Sequence, residues 1–205
     1  MRIAILGTGR VAQTLAAGLL RAGHDVVFGS RDPGNRNGLP ARVLASADAV
    51  VGADVVLNAV QGVDTIPLLA SIGTANLDGA VLWDIANAAN PDFSLAIPDD
   101  SLGRRIQEAF PGVKVVKAAN HVAAVVVADP STLPAPTTLF LSGDDTGAKE
   151  VVSGLLIDLG WPRESLFDLG GIGNAYGQEH YLALFGTMLQ KLGTPYFSIT
   201  IVKAA

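Results

Sequence analysis

A glycine-rich stretch near the start of the chain is the first group of residues whose spacing could support chemistry. Residues 7–12 read Gly-Thr-Gly-Arg-Val-Ala and fit the pattern G-x-G-x-x-A, between an apolar run and a helical pattern. In this motif the first glycine makes a tight turn, and the second lets the backbone approach a pyrophosphate. The amides that open the helix then hold phosphates. The motif predicts a dinucleotide site rather than a plain strand–turn–helix, with contacts from Gly7, Thr8, Gly9, Arg10 and Val11.

The end of the next apolar run predicts which dinucleotide is bound. An acidic residue there would bind the ribose 2′-hydroxyl of NAD, whereas this run ends in Gly29-Ser30-Arg31. A hydroxyl and a guanidinium suit a 2′-phosphate, because arginine offers a bidentate, charge-assisted contact. We therefore expect NADP(H), with Ser30 and Arg31 at the 2′-phosphate and Arg10 beside it. The alternative is that Arg31 is a solvated surface charge.

Short runs with amide side chains follow three later apolar segments. The carboxyl ends of parallel strands line one crevice, so these runs should face the same ligand. We expect cofactor contacts from Ala59, Val60, Gln61, Asn87 and Asn120. Asn and Gln amides can bind ribose hydroxyls or the nicotinamide carboxamide, and ordinary loop capping is the alternative for each of them.

No side chain stands out as a catalytic acid, base or nucleophile. The chain has no cysteine, and its three histidines lack metal-ligand spacing, so we expect no metal. Asn120 and His121 are the catalytic candidates, because His121 follows a predicted strand end and could titrate near neutral pH. The alternative for His121 is a hydrogen-bonded structural histidine. Hydride transfer to a conjugated acceptor needs orientation more than acid–base help, so the missing acid is consistent with that reaction.

Composition excludes several classes of partner. The 205 residues carry a net charge of −5 with only 14 Lys and Arg and no basic tract, so we expect no nucleic acid. The longest apolar run, residues 122–128, is too short to cross a bilayer, so we expect no membrane partner. The first apolar run leads straight into the glycine motif, from which we expect no leader and a cytoplasmic location.

The elements that must position these residues alternate between strand and helix patterns. Strands are predicted at residues 3–6, 25–28, 42–44, 54–60, 81–85, 113–117, 137–141, 165–168 and 197–202, and helices at 11–21, 47–52, 63–72, 102–110, 146–159 and 175–192. Repeated strand–helix units predict a Rossmann-type α/β fold with a doubly wound parallel sheet. Ser46 and Asp145 are expected to cap helices. Prolines 130, 134 and 136 predict a boundary between an NADP-binding domain, residues 1–136, and a small C-terminal α/β domain, residues 137–205.

Four segments of the chain resemble the family of coenzyme F420-dependent NADP oxidoreductases. They are residues 5–9, residues 23–32 with their Gly-Ser-Arg run, residues 115–120 and residues 141–145. The resemblance implies a Rossmann domain with a small C-terminal domain, hydride exchange between NADP(H) and a deazaflavin, and a homodimer. In that family the Gly-Ser-Arg segment holds the 2′-phosphate. Residues 59–62, 84–91 and 117–121 depart from the family pattern, and we expect all three to face the hydride acceptor.

The leading hypothesis is an NADPH-dependent oxidoreductase whose small-molecule acceptor is F420 or a flavin such as FMN or FAD. One alternative is a reductase of a small carbonyl or imine, although such enzymes usually carry a large helical substrate domain and a catalytic lysine. Another is a non-catalytic NADP(H) sensor. The C-terminal domain is expected to hold the acceptor pocket and the dimer interface. The dimer is expected because the alternating pattern over residues 197–202 predicts an edge strand, whose unpaired backbone groups can pair with another chain.

Overall fold

A single sheet organises the protein. In the computed structural model, which describes residues 1–36 and 38–204, eight strands take the order β3-β2-β1-β4-β5-β6-β7-β8. They are β1 (Arg2–Leu6), β2 (Asp25–Ser30), β3 (Val43–Ala45), β4 (Val55–Asn58), β5 (Val81–Asp84), β6 (Lys114–Ala118), β7 (Leu139–Gly143) and β8 (Leu166–Asp168). Neighbouring strands are parallel except β6 and β7, which are antiparallel. The chain order reverses at β1 and β4, which opens a crevice at their carboxyl ends.

Helices cover both faces of this sheet. They are α1 (Arg10–Arg21), α2 (Ser46–Val50), α3 (Thr65–Ile72), α4 (Thr74–Leu77), α5 (Leu102–Ala109), α6 (Ala124–Val127), α7 (Thr146–Asp158) and α8 (Ala175–Leu192). One apolar core contains Leu15 of α1 and Leu155 of α7, and the core on the other face contains Leu69 of α3 and Ile106 of α5. Because the central strands are buried on both faces, they appear in the sequence as continuous apolar runs. The expected doubly wound α/β fold is therefore confirmed.

The predicted ninth strand, residues 197–202, is wrong. This segment follows α8 as irregular backbone, and one backbone hydrogen bond, from Thr138 N to Ile199 O at 2.9 Å, joins it to the chain near β7. Both edges of β7 are already paired, with β6 and with β8, so a further strand has no free edge there.

The two predicted helix caps have different outcomes. Asp145 caps α7, because its carboxylate accepts a hydrogen bond from Ala148 N at 2.7 Å. Ser46 does not cap α2; it is the first residue of that helix, and Ala45 takes the N-cap position. The helix thus begins one residue earlier than the sequence suggested and follows β3 directly.

The expected boundary at residues 130–136 falls between β6 and β7. The sheet continues across it, because Lys117 of β6 pairs with Ser142 of β7. The division into domains 1–136 and 137–205 stays a prediction about folding units, while the sheet is continuous. Within the described ranges no helix combines the length and apolar content needed to cross a bilayer.

Candidate functional site

The glycine turn joins β1 to α1, and its backbone requires glycine at position 7. Gly7 has a φ of 104°, and a Cβ there would lie 3.0 Å from the carbonyl oxygen of Ala59. Its amide donates to the Gly29 carbonyl at 3.0 Å, which holds the turn against β2. Gly9 is the N-cap of α1, and a Cβ built on it meets nothing within 4 Å. The start of α1 is therefore open to a ligand, and its free amides suit phosphate oxygens.

A cavity of about 670 Å³ lies at the carboxyl ends of the strands, beside this turn. All of the predicted cofactor contacts line it: Gly7, Thr8, Gly9, Arg10, Val11, Ser30, Arg31, Ala59, Val60, Gln61, Asn87 and Asn120. The structure thus brings together residues that lie up to about half the chain apart. That each of them contacts a cofactor stays a prediction.

Three arginines and a buried hydroxyl line the β2 end of the cavity. Arg10, Arg31 and Arg36 are exposed, and Ser30 is only 7% exposed. Within residues 1–36 and 38–204 none of the three guanidinium groups forms an ion pair with a carboxylate. Such groups are available to a phosphate dianion. The sequence analysis missed Arg36, because it lies in an irregular loop without a motif.

Asp32 also lines this end of the cavity and would repel a phosphate if its carboxylate pointed at it. The carboxylate instead accepts a hydrogen bond from Asn35 Nδ2 at 2.6 Å. The backbone amide of Asp32 donates to Ser30 Oγ at 3.1 Å, which orients that hydroxyl. Asp32 therefore helps to shape the turn, and three positive charges face one negative charge there.

Asn87, Asn120 and Gln178 form an amide network at the β5 and β6 end of the cavity. Asn120 Nδ2 donates to Asn87 Oδ1 at 2.8 Å and to Gln178 O at 3.2 Å, and Asn120 Oδ1 accepts from Gln178 Nε2 at 2.9 Å. Both N–H groups of Asn120 are therefore used within the protein. Asn87 Nδ2 donates one N–H to Asn120 O at 2.7 Å and keeps the other for a ligand. Gln178 lies on α8, and sequence analysis gave no sign of its role.

His121 is a buried histidine rather than an exposed one. It is 3% exposed, its Nε2 lies 3.3 Å from Thr138 O, and its ring packs 4.5 Å from that of Phe140. Burial lowers the pKa of His121 to about 4, although the Thr138 carbonyl acts in the opposite direction. Of the two catalytic candidates, Asn120 is among the described residues that line the cavity and His121 is not. This arrangement favours the structural alternative for His121.

A fully buried lysine lies beneath the cavity, and the sequence analysis missed it. Lys117 Nζ donates to Asp84 Oδ2 at 2.8 Å, lies 3.2 Å from Glu179 Oε1, and also donates to the Ala86 carbonyl. Burial lowers the pKa of Lys117, but the two carboxylates outweigh it, so the pKa lies above its usual value. Asp84 Oδ1 accepts from Asn58 Nδ2 at 2.8 Å. This ion cluster fixes the backbone of Ala86, which lines the cavity.

Glu179 connects this ion cluster to two helices. It belongs to α8, and its carboxylate accepts hydrogen bonds from Ser101 Oγ, Leu102 N and Gly103 N at 2.7–3.0 Å. These groups form the N-terminal end of α5, where the helix dipole favours a negative charge. Gln178 and Glu179 together clamp α8 to the end of β6. Further along α8, Leu182 and Phe185 line the cavity.

Two observations indicate that the cavity can hold a dinucleotide. The space at Gly9 is open where a pyrophosphate would lie, and free arginines stand at β2 where a 2′-phosphate would lie. The crevice then runs past the ends of β1 and β4 towards the amide network, which is the course that a dinucleotide takes in this class of fold. Fold and site together are those of a Rossmann-type dinucleotide-binding protein.

Comparison with known proteins identifies the family. The family described as NADP oxidoreductase coenzyme F420-dependent matches residues 2–88. A candidate F420-dependent NADP reductase from Arthrobacter sp. FB24, whose crystal structure is known, is 37% identical in sequence to this chain. The two structures match with a TM-score of 0.92 over 99% of this chain and 100% of that one. The chain belongs to the family of coenzyme F420-dependent NADP oxidoreductases. This membership confirms the expected NADP(H) cofactor.

More distant relatives reduce other compounds. Pyrroline-5-carboxylate reductase from Mycobacterium tuberculosis is 33% identical over 139 residues, which are 64% of this chain and 45% of that protein. The chain thus spans less than half the length of the first curated relatives that it matches. An imine reductase from Myxococcus stipitatus, solved with NADP⁺, has a TM-score of 0.70 over 94% of this chain and 64% of that one. At 20% identity it shows only the shared fold.

Proposed function

We propose that the protein transfers a hydride between NADPH and a planar conjugated acceptor, either the deazaflavin F420 or a flavin. The observation that carries this proposal is the chemistry of the cavity wall beside β5, β6 and α8. The described residues that line it there are all non-ionisable: Ile85, Ala86, Asn87, Asn120, Val122, Ala123, Ala124, Leu182 and Phe185. The ionisable side chains of the cavity are the three arginines and Asp32 near β2, and Asp64, which is exposed after β4.

The lack of an acid in this wall favours a ring acceptor over a carbonyl. When bound, NADPH supplies a hydride and leaves as NADP⁺. A carbonyl oxygen that becomes an alkoxide needs a proton donor, and general acid catalysis is worth roughly 10²–10⁴-fold in rate. A deazaflavin or flavin instead spreads the added charge over its ring and takes its proton from solvent. A wall without ionisable groups that orients two rings is sufficient for that reaction.

Residues at the two ends of the cavity would bind different parts of the cofactor. The turn from Gly7 to Gly9 and the start of α1 would hold the pyrophosphate. Ser30 and Arg31 would hold the 2′-phosphate, and the free N–H of Asn87 would contact an oxygen of the nicotinamide half. The walls formed by Ala59 and Leu182 would leave room for the acceptor ring.

The test is to mix the protein with NADPH and one acceptor at a time, F420, FMN or FAD, and to follow NADPH oxidation by its absorbance. We expect turnover with at least one of them. Gly9→Val is the matched control: the space around Gly9 admits the side chain without a clash, but the side chain takes the place of the pyrophosphate. That variant should fold normally and bind no NADPH.

Other results would redirect the assignment. Turnover with 1-pyrroline-5-carboxylate alone would favour the second candidate, an imine or carbonyl reductase, which the likeness to pyrroline-5-carboxylate reductase supports. Tight NADPH binding without turnover on any acceptor would indicate a sensor. Normal NADPH affinity in Gly9→Val would show that the glycine motif is only a structural turn.

We also propose a homodimer built through the C-terminal region. Large apolar side chains are exposed there, among them Leu184 and Leu192 of α8 and Tyr196, Ile201 and Val202 after it. Such a patch favours association with another surface. Light scattering at micromolar protein should give the mass of a dimer, and a monomer would contradict the proposal. The cytoplasmic location stays a prediction.

A further inference from the structure

An aromatic side chain on α8 lines the end of the cavity. Phe185 is half-buried, and its ring stacks on that of Phe197 with a centroid distance of 5.1 Å and an interplanar angle of 28°. Phe93 lies 6.5 Å away in a tilted arrangement. We propose that Phe185 determines acceptor specificity, as the aromatic surface against which a planar heteroaromatic acceptor stacks. The inference rests on the proposed function.

The position of Phe185 follows from the way α8 is attached. Gln178, Leu182 and Phe185 are spaced at i, i+4 and i+7, so they share one face of the helix. Gln178 is bonded to Asn120, and the neighbouring Glu179 is bonded to Lys117. The face that carries Phe185 is therefore anchored to the end of β6, and the ring has a defined place in the cavity wall.

The loop between β5 and α5 contacts α8 next to Phe185. A Cβ on Gly186 would lie 2.8 Å from Phe93 Cβ, so this loop packs directly on the backbone of α8 next to Phe185. Phe93 has a φ of 65°, a conformation that non-glycine residues adopt only where packing imposes it. Phe93 and Phe197 thus contact Phe185 from two separate segments of the chain, and stacking on Phe197 covers one face of the ring.

The sheet places Phe185 at the end of the cavity that is remote from the 2′-phosphate residues. Arg31 follows β2, and the anchor of α8 follows β6, four strand positions away. Strands lie about 4.8 Å apart, so the two ends are separated by about 19 Å. A dinucleotide with its 2′-phosphate at Arg31 directs its nicotinamide half towards β5 and β6. Phe185 is therefore on the side where an acceptor must lie.

The aromatic ring of Phe185 favours acceptors that are planar and conjugated. An acceptor ring that presents one face to the cofactor leaves its other face to the protein, and an aromatic side chain stacks on such a face favourably. A small carbonyl or imine compound has no extended face to present. Stacking of this kind corresponds to about a twofold to tenfold gain in affinity.

The experiment compares variants that separate aromaticity from volume. Phe185→Leu keeps an apolar side chain without the ring, and Phe185→Tyr keeps the ring. Phe167→Leu is the matched control, because Phe167 is an exposed phenylalanine on β8 that is absent from the described lining of the cavity. FMN and F420 are each titrated into protein saturated with NADP⁺, with binding followed by their fluorescence. NADPH affinity and thermal stability are measured in parallel.

We expect Phe185→Leu to weaken binding of at least one probe by about twofold to tenfold, with Phe185→Tyr and Phe167→Leu close to the wild type. NADPH affinity should not change in any of them. Unchanged probe affinity in Phe185→Leu, in a wild-type protein that does bind the probe, would overturn the role of Phe185 and leave the proposed function intact. A wild-type protein that binds NADPH but neither probe would instead overturn the proposed function itself.

Discussion

Lys117 Nζ and Glu179 Oε1 lie 3.2 Å apart and join β6 to α8 by a buried ion pair. The three acceptors around the ammonium are Asp84, Glu179 and the Ala86 carbonyl, so each of its N–H groups has a partner. The same pair supports one wall of the cavity from β6 and another from α8. Stability and ligand binding are therefore expected to depend on it together.

Replacement of the buried lysine should be costly. Lys117→Met leaves two carboxylates without their cation in the protein interior, and we expect a loss of about 3–5 kcal/mol in the free energy of unfolding. Lys149→Met is the control, because Lys149 pairs at 2.7 Å with an Asp168 that is half exposed. That pair should contribute less than about 1 kcal/mol. Urea unfolding of both variants measures the difference, and equal losses would contradict the assignment.

Arg31→Ala should separate the two nicotinamide dinucleotides. A charged hydrogen bond contributes about 1.5–3 kcal/mol, so NADPH affinity should fall by about tenfold to a hundredfold, while NADH affinity should hardly change. Calorimetric titration with each dinucleotide measures this. Arg163→Ala, on the exposed Arg163–Glu150 pair, should affect neither. Equal losses of affinity for NADPH and NADH in Arg31→Ala would show that Arg31 does not bind the 2′-phosphate.

Asn120→Ala should act through its neighbours. The substitution leaves Asn87 Oδ1 and Gln178 Nε2 without these partners, so the Asn87 amide keeps only its hydrogen bond to the backbone carbonyl of residue 120 and is held less firmly towards a ligand. We expect the KM for NADPH to rise by about tenfold, in line with the loss of a buried hydrogen-bonded group. Asn90→Ala is the control, since Asn90 is exposed and bonded to Ser94. An unchanged KM in Asn120→Ala would show that the amide network has no part in binding.

His121 should make stability depend on pH. Its pKa is about 4 in the folded protein, because burial favours the neutral ring, against an ordinary value of 6.5. At pH values below 6.5 the His121 ring of the unfolded chain binds a proton, whereas the ring in the folded protein stays neutral. The contribution to stability is thus complete above about pH 6.5 and is lost as the pH falls towards about 4, by a few kcal/mol.

Urea unfolding at a series of pH values checks this, with His121→Leu as the comparison. The variant should lack that part of the pH dependence. Its turnover should fall by less than about tenfold, since a general acid would be worth roughly 10²–10⁴-fold. A thousandfold loss with a lost ionisation would make His121 the acid and favour a carbonyl or imine acceptor.

Local patterns in the sequence predicted the fold and one end of the site well. Helix α8 has the predicted bounds, because Gly193 closes it in the left-handed conformation with a φ of 65°. The glycine motif is contiguous, so its geometry follows from adjacent residues. The terminal strand was predicted wrongly because the alternation in residues 197–202 is typical of a strand, whereas pairing depends on a free edge elsewhere in the sheet.

The ion cluster and the amide network could not be predicted, because each depends on strand register and on a distant helix. Asp84 pairs in register with Lys117, and Asn58 pairs with Asp84. Only this alignment puts the three side chains in one row, and only α8 brings Glu179 to it. A lysine within a buried apolar strand was the one signal available, and it predicts that a carboxylate must lie nearby.

The late position of α8 in the chain has a consequence for synthesis on the ribosome. Chains emerge N-terminus first, and folding can begin before synthesis ends. A nascent chain that has emerged through β6 already contains the glycine turn and Arg31, but it lacks Gln178, Glu179 and Phe185. The adenosine side of the site can therefore form early, whereas the acceptor side is completed only when α8 docks. The edge of β6 is open to wrong pairing only until β7 has emerged and paired with it, so early occupation of the adenosine side would protect the growing chain during that interval.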